Sequence, residues 1–200
     1  GRYESLGTTN VSTDFVELPS QIMENWAFEP EFLQSFAKHY KTGEVISTEL
    51  IDKIVETKNY NAAYYQVRQL NFGILDMAWN DMDTMTNKDV LTFESDALKN
   101  VTLFPPVKGT CISTSFSHIF TGQYAAGYYS YKWSEVLEAD AFSLFKEKGI
   151  FNPEVSESFR ANILSRGNTE DPATMFRNFR GHDPQVGALL NKLGITSQNQ

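Results

Sequence analysis

Apolar residues in this chain recur at intervals of three and four and almost nowhere alternate. No other feature limits the fold as strongly. A period near 3.6 lays a stripe along one side of a helix, whereas a half-buried strand needs a period of two. Phe15, Leu18, Ile22 and Trp26 form a first stripe. Pro19 lies within it and predicts a helix that starts late or kinks, because an interior proline removes a hydrogen bond. Pro30 opens a second run through Phe32, Leu33, Phe36 and Tyr40, and Lys41-Thr42-Gly43 closes it, basic residue then glycine. Ser47 or Thr48 caps a third through Leu50, Ile51, Ile54 and Val55. Residues 59–81 predict a longer helix bearing Tyr64, Val67, Leu70, Ile74, Leu75 and Trp79. Gly73 sits inside it at a cost of about 1 kcal/mol. Further helices are expected over 88–99, over 124–148 with Gly149 as the stop, over 156–165, over 172–179, and after Asp183-Pro184. Residues 1–12 read as a loop or edge strand. Residues 103–122, which contain Phe104-Pro105-Pro106 and Gly109-Thr110, read as irregular, with room for a short strand. The expected fold is mainly α, with little or no β.

The bulk composition narrows the function. Two hundred residues, 41% of them hydrophobic, suit a single domain with a real core, and no linker or repeat divides them. A net charge of -8 argues against a nucleic-acid surface, which needs clustered Lys and Arg. One cysteine, Cys111, excludes an internal disulfide framework. No apolar run approaches the roughly 18 residues of a membrane span. No signal peptide is visible, but a fragment lacking its true N-terminus could not show one; the expected compartment is the cytoplasm, with the periplasm as the alternative.

Two segments carry candidate chemistry. The first is Asp14-Phe15-Val16-Glu17-Leu18-Pro19-Ser20-Gln21, followed by Glu24-Asn25-Trp26. Asp14-x-x-Glu17 has the spacing of a capping box, with Glu17 reaching back to the amide of Asp14. The spacing alone favours that cap; a carboxylate can also bind a metal, and Gln21 and Glu24, on its helix face, are then either groups that orient it or a solvated face. The second runs from Phe116 through His118, Gly122, Tyr124, Gly127 and Tyr128 to Tyr131 and Trp133. On a helix, Tyr124, Tyr128 and Tyr131 at i, i+4 and i+7 would share one face. Such a stripe is either core with a polar handle or a row of hydroxyl donors. His39 reads as a surface residue or a helix C-terminal dipole partner, and His182 as a turn residue. The segment from Arg166 to Asp171 reads as a helix cap or an anion site. Cys111 has no histidine near it in sequence, which makes a cysteine hydrolase using Cys111 and His118 a weak reading.

Both segments resemble the thimet oligopeptidase and peptidyl-dipeptidase family of zinc metallopeptidases, closest to its bacterial peptidyl-dipeptidase branch. The resemblance runs in order from Leu6 to about Gly194. It implies that Glu17 is the third zinc ligand. The other two ligands and the catalytic glutamate belong to a His-Glu-x-x-His helix, and no such motif occurs in these residues. Residues 1–200 are therefore expected to be the C-terminal portion of a zincin-like catalytic domain whose metal-binding helix lies upstream. The resemblance assigns Tyr131, with His118, to the transition-state oxyanion. It assigns His118 and Tyr124 to the substrate backbone, Tyr128 to the same cleft, and Gly122 to the glycine-rich loop beside it. The implied activity is zinc-dependent hydrolysis of short peptides, with the isolated chain inactive and unable to hold zinc tightly. Expected partners are short peptides and the upstream part of the same domain, with no nucleic acid and no membrane. The uncovered face of the helix over residues 15–26 is expected to promote self-association. One departure is Gly7-Thr8-Thr9, where the family often has Ser-Gly-Thr. A non-catalytic helical module that binds peptides or partners is the alternative.

Overall fold

The computed structural model describes residues 3–195. Its helices are α1 (Leu18–Glu24), α2 (Pro30–Phe36), α3 (Thr48–Thr57), α4 (Ala62–Asn80), α5 (Val90–Leu98), α6 (Ser130–Lys148), α7 (Pro153–Phe159), α8 (Pro172–Arg180) and α9 (Val186–Lys192). Among the described residues the only β pairing is an isolated antiparallel bridge between Lys38 and Val45. The fold is mainly α, as the periodicity predicts. Among the described residues no helix is long and apolar enough to cross a membrane. The residues gather into two compact units, one comprising Asn61–Lys132 and the other the chain on either side of it. Neither boundary carries a linker composition.

In the flanking unit, Phe15, Leu18 and Ile22 are buried in a core with Phe142, Phe145, Phe159, Phe176 and Phe179. Trp26 packs edge-on against Phe142 at 4.7 Å and Phe145 at 5.0 Å, and its Nε1 donates to the Ile150 carbonyl at 3.1 Å. The apolar stripe of residues 15–26 is thus covered within the chain. Pro19 lies at the start of α1, where no helical hydrogen bond is lost, so the late start wins over the kink.

Two buried carboxylates tie this unit together. Asp140 accepts from Arg180 Nε and from the Gln185 amide, each at 2.8 Å. Glu138 accepts from Asn25 Nδ2 at 2.6 Å and pairs with Lys192. Burial pushes the Glu138 carboxyl above the usual carboxylate range, against the pull of Lys192 and Asn25. Burial also lowers the Lys58 ammonium, and the like charge of Lys192 adds to it.

Several ends differ from expectation for local reasons. Ser47 does cap α3, accepting from the Leu50 amide at 3.4 Å. The second helix, however, ends at Phe36 instead of running to residue 41, because the chain turns into the Lys38–Val45 bridge. Gly43, at φ 75°, serves that turn. The last helix starts at Val186, with Gln185 as its N-cap. Asp183 pairs instead with Arg177 at 2.7 Å. The helix expected over 156–165 begins at Pro153 and passes into a π-helical turn, Arg160–Leu164. Near the start of the chain there is a 3-10 turn, Glu4–Leu6, and no strand. Leu6 accepts from the Asn168 amide at 2.8 Å, so closely that a Cβ on Gly167 would lie 1.9 Å from its oxygen. Thr8 then takes φ 55°, which a β-branched residue adopts only under strain.

The Asn61–Lys132 unit has a smaller core of Leu75, Leu98, Ile119 and Tyr128, flanked by Phe72, Trp79 and Phe116. Asn61, at φ 56°, delays α4 to Ala62. Of its expected stripe, Leu75 is buried and Trp79 half-buried, whereas Leu70 and Ile74 are exposed. The inward face is instead Phe72, Leu75, Asp76 and Trp79. A cavity of about 950 Å³ opens between α4, α5 and the following irregular stretch, lined by Phe72, Leu98, Phe104, Pro106, Ile112 and Phe116 among others.

Candidate functional site

The expected helix over 124–148 begins only at Ser130. A 3-10 turn, Gly122–Tyr124, and a loop precede it. Two residues force that path. Gly122 has φ 80°, the left-handed region that glycine enters without a Cβ penalty. Ala126 has φ 55°, which no right-handed helix tolerates. The three tyrosines therefore do not share one helix face. Tyr124 ends the 3-10 turn, Tyr128 sits in the loop, and Tyr131 stands in the first turn of α6.

They converge nonetheless. The His118 and Tyr124 rings stack at 4.7 Å and 11°. Tyr124 stacks on Tyr131 at 4.9 Å and 20°. Tyr128 lies 5.1 Å from Tyr131. His118 Nε2 and the Tyr131 hydroxyl are 2.8 Å apart, within hydrogen-bond distance. His118 is exposed and Tyr124 and Tyr131 are half-buried, so solvent reaches the polar edge of this group. Tyr128 differs: it is only 9% exposed, and its hydroxyl donates to Gln69 Oε1 at 2.9 Å. Its ring packs against Phe72 and Phe116.

Two carboxylates that the sequence reading passed over hold the irregular stretch. Asp76, on α4, is 1% exposed. Its Oδ1 accepts from the Ala126 amide and its Oδ2 from the Tyr128 amide, both at 2.9 Å. Asn80, one turn later, donates to Asp76 Oδ1 at 2.9 Å and to the Ile119 carbonyl at 3.1 Å. Glu94, on α5, accepts from the Ile112 amide at 3.0 Å, the Ser113 amide at 2.7 Å and the Ser113 hydroxyl at 2.6 Å. Burial would raise the Glu94 carboxyl, but these donors, with the Cys111 thiol, outweigh it and hold it below the usual range. Asp76 had a sequence signal, a lone carboxylate inside Gly73-Ile74-Leu75-Asp76-Met77-Ala78-Trp79. Glu94 had none.

Glu17 belongs to the flanking unit. It is the N-cap residue of α1, half-buried, and its Oε2 accepts from the Ser20 hydroxyl at 2.6 Å. Gln21 is half-buried and Glu24 exposed on the same short helix. Catalytic zinc takes three protein ligands. Among the described residues no three His, Cys, Asp or Glu side chains gather to hold a metal ion. A lone Glu17 therefore does not make a zinc site with the residues present. Cys111 donates to Glu94 Oε2 at 3.4 Å, a structural contact within the irregular stretch. His39 is exposed, with Nδ1 accepting from the Thr42 amide at 3.2 Å. His182 sits in the turn before α9, its Nδ1 2.7 Å from the Asp183 carbonyl oxygen. Asp171 caps α8 through the Thr174 amide at 2.9 Å, which settles the segment from Arg166 as a cap.

Oligopeptidase A of Escherichia coli is 46% identical over 97% of this chain and 29% of its own length. Oligopeptidase A of Haemophilus influenzae is 45% identical over 94% of the chain and 28% of its own length. The dipeptidyl carboxypeptidase of Escherichia coli is 39% identical over 97% of the chain and 29% of its own length. The higher identities are thus to the oligopeptidase A sequences. The chain spans less than a third of the length of each of these relatives. The family model described as Peptidase family M3 matches residues 1–195, and the chain belongs to that family.

Proposed function

We propose that this chain forms one wall of the active site of a zinc-dependent peptidase that hydrolyses short peptides. Tyr131 donates to the oxyanion, His118 and Tyr124 bind the substrate backbone, and Glu17 supplies one metal ligand. The observation that carries the reading is the contact between His118 Nε2 and the Tyr131 hydroxyl at the edge of the aromatic stack. When a peptide carbonyl is attacked, negative charge grows on its oxygen, and a preorganised donor aimed there stabilises the transition state. A phenol, with an ordinary pKa near 10, keeps its proton at neutral pH. The neighbouring imidazole decides where that proton points. With the proton on His118 Nε2, the imidazole donates to the Tyr131 oxygen and the phenol does not spend its hydrogen on His118. In the other tautomer Tyr131 spends its hydrogen on His118.

Gly122 keeps the approach open, since nothing lies within 4 Å of where its Cβ would be. Tyr128, buried and bonded to Gln69, lines the cleft as support for its neighbours. The ligand role of Glu17 rests on family membership and on the carboxylate's position at the start of α1. It requires further ligands from residues outside this chain.

The test uses the complete protein that contains this sequence. The reading expects cleavage of short peptides, abolished by a chelator, and loss of bound zinc in Glu17→Gln. A protein that binds peptides without cleaving them, and whose zinc content is unchanged by Glu17→Gln, would be the non-catalytic module instead.

A further inference from the structure

We propose that Asp76 is a positioning residue: by gripping the Ala126 and Tyr128 amides it fixes the loop that delivers Tyr124 and Tyr131. The proposal rests on the peptidase reading for its catalytic consequence and on geometry alone for the grip. The loop also turns on its own backbone, with the Gly127 amide donating to the Tyr124 carbonyl at 2.9 Å. Ala126 is held at φ 55°, a left-handed conformation that disfavours a residue with a Cβ. Something must over-determine it. Asp76 supplies the two acceptors on either side of Gly127, and Asn80 fills the remaining direction at Oδ1 while also holding Ile119. One side chain pair on one turn of α4 thus ties down both flanks of the segment between His118 and Tyr128.

The chemistry of the acceptor matters as much as its place. Two amide hydrogens approach two different oxygens of Asp76. A carboxylate accepts at both; a carboxamide of the same shape presents an NH₂ at one and faces a donor with a donor. Asp76→Asn therefore preserves volume and burial yet breaks one arm of the grip. A buried carboxylate that merely stabilised the helix would show no such selectivity for the loop.

The experiment has two arms. Backbone hydrogen exchange in the 200-residue chain should show the Ala126 and Tyr128 amides protected to the level of α4 amides. In Asp76→Asn that protection should drop at least tenfold at those two amides, with α4 and α8 little changed. Loop-like exchange at both amides in the unmodified chain would overturn the grip, whether or not any variant folds, and so would unchanged protection in a folded Asp76→Asn. In the complete protein, Asp76→Asn should lower kcat/KM about tenfold or more, Asp76→Glu less. Most of that loss should vanish in a Tyr131→Phe background, because both changes disable the same donor. A full and independent loss there would assign Asp76 to stability only and overturn the positioning role. Should Tyr131→Phe itself leave turnover intact, the peptidase reading of Tyr131 fails, while the exchange arm still decides the grip.

Discussion

The flanking unit and the Asn61–Lys132 unit both contain buried carboxylates, but these tie helices together in the first and hold an irregular stretch in the second. The first has a core rich in phenylalanine, with Phe145, Phe159 and Phe179 in mutual ring contact. The second has a small core of Leu75, Leu98, Ile119 and Tyr128 and a long irregular stretch fastened by Asp76 and Glu94. Apolar burial is non-directional and fixes helices well. Hydrogen bonds to a buried carboxylate are directional and can fix a loop in one conformation. The candidate donors, His118 and the tyrosines, stand on the part held by hydrogen bonds. A loop can hold hydroxyls at the angles a bound peptide requires, whereas a helix face allows only its own periodicity.

That contrast predicts a ranking. Removing a core ring in the flanking unit should cost most: Phe176→Ala, at a side chain 1% exposed, is expected to lose about 3–5 kcal/mol in denaturant unfolding. Arg180→Ala should come next, at roughly 3 kcal/mol, because it strands Asp140 without its partner. A loss under about 1 kcal/mol for Phe176→Ala would break the claim that this core carries the fold.

The sharpest contrast is in pH. Glu138 has its folded pKa raised by burial. Its contribution to stability is fully present below the unfolded pKa and falls as pH rises through the folded value. Glu94 has its folded pKa lowered by its donors. Its contribution is present above the unfolded pKa and falls as pH drops through the folded value. Thermal unfolding of Glu138→Gln and Glu94→Gln between pH 4 and 7 should therefore diverge. The wild type should lose ground to Glu138→Gln as pH rises and gain ground on Glu94→Gln. Parallel trends would mean that the two carboxylates are held alike. The smallest stability effects should be those of Tyr128→Phe and Tyr131→Phe, each about 1 kcal/mol for one hydrogen bond.

The same contrast explains what the sequence revealed. Ser47, Pro30 and Gly149 punctuate helices through local rules, and the starts of α3 and α2 and the end of α6 fall close to where those rules put them. Phe15, Leu18 and Ile22 were legible as a buried stripe because burial and period agree. The tyrosines were legible by type but not by arrangement. Read as one helix face, they are gathered instead by Gly122 and Ala126 turning the chain and by Asp76 holding it, contacts about fifty residues apart in sequence. Leu70 and Ile74 misled for a related reason, since the inward face of α4 is set by Asp76 and its neighbours. Long-range hydrogen bonding to a loop leaves no periodicity.

The most direct test sets Tyr131 against Tyr128 in the complete protein. Both are phenols of the same cluster, 5.1 Å apart, one at its half-exposed edge and one buried on Gln69. Tyr131→Phe should lower kcat by on the order of 10²–10³ with little change in KM, as expected for loss of an oxyanion donor. Tyr128→Phe should lower kcat far less, at a similar cost in stability. Near wild-type turnover in Tyr131→Phe, or equal losses in the two variants, would contradict the account.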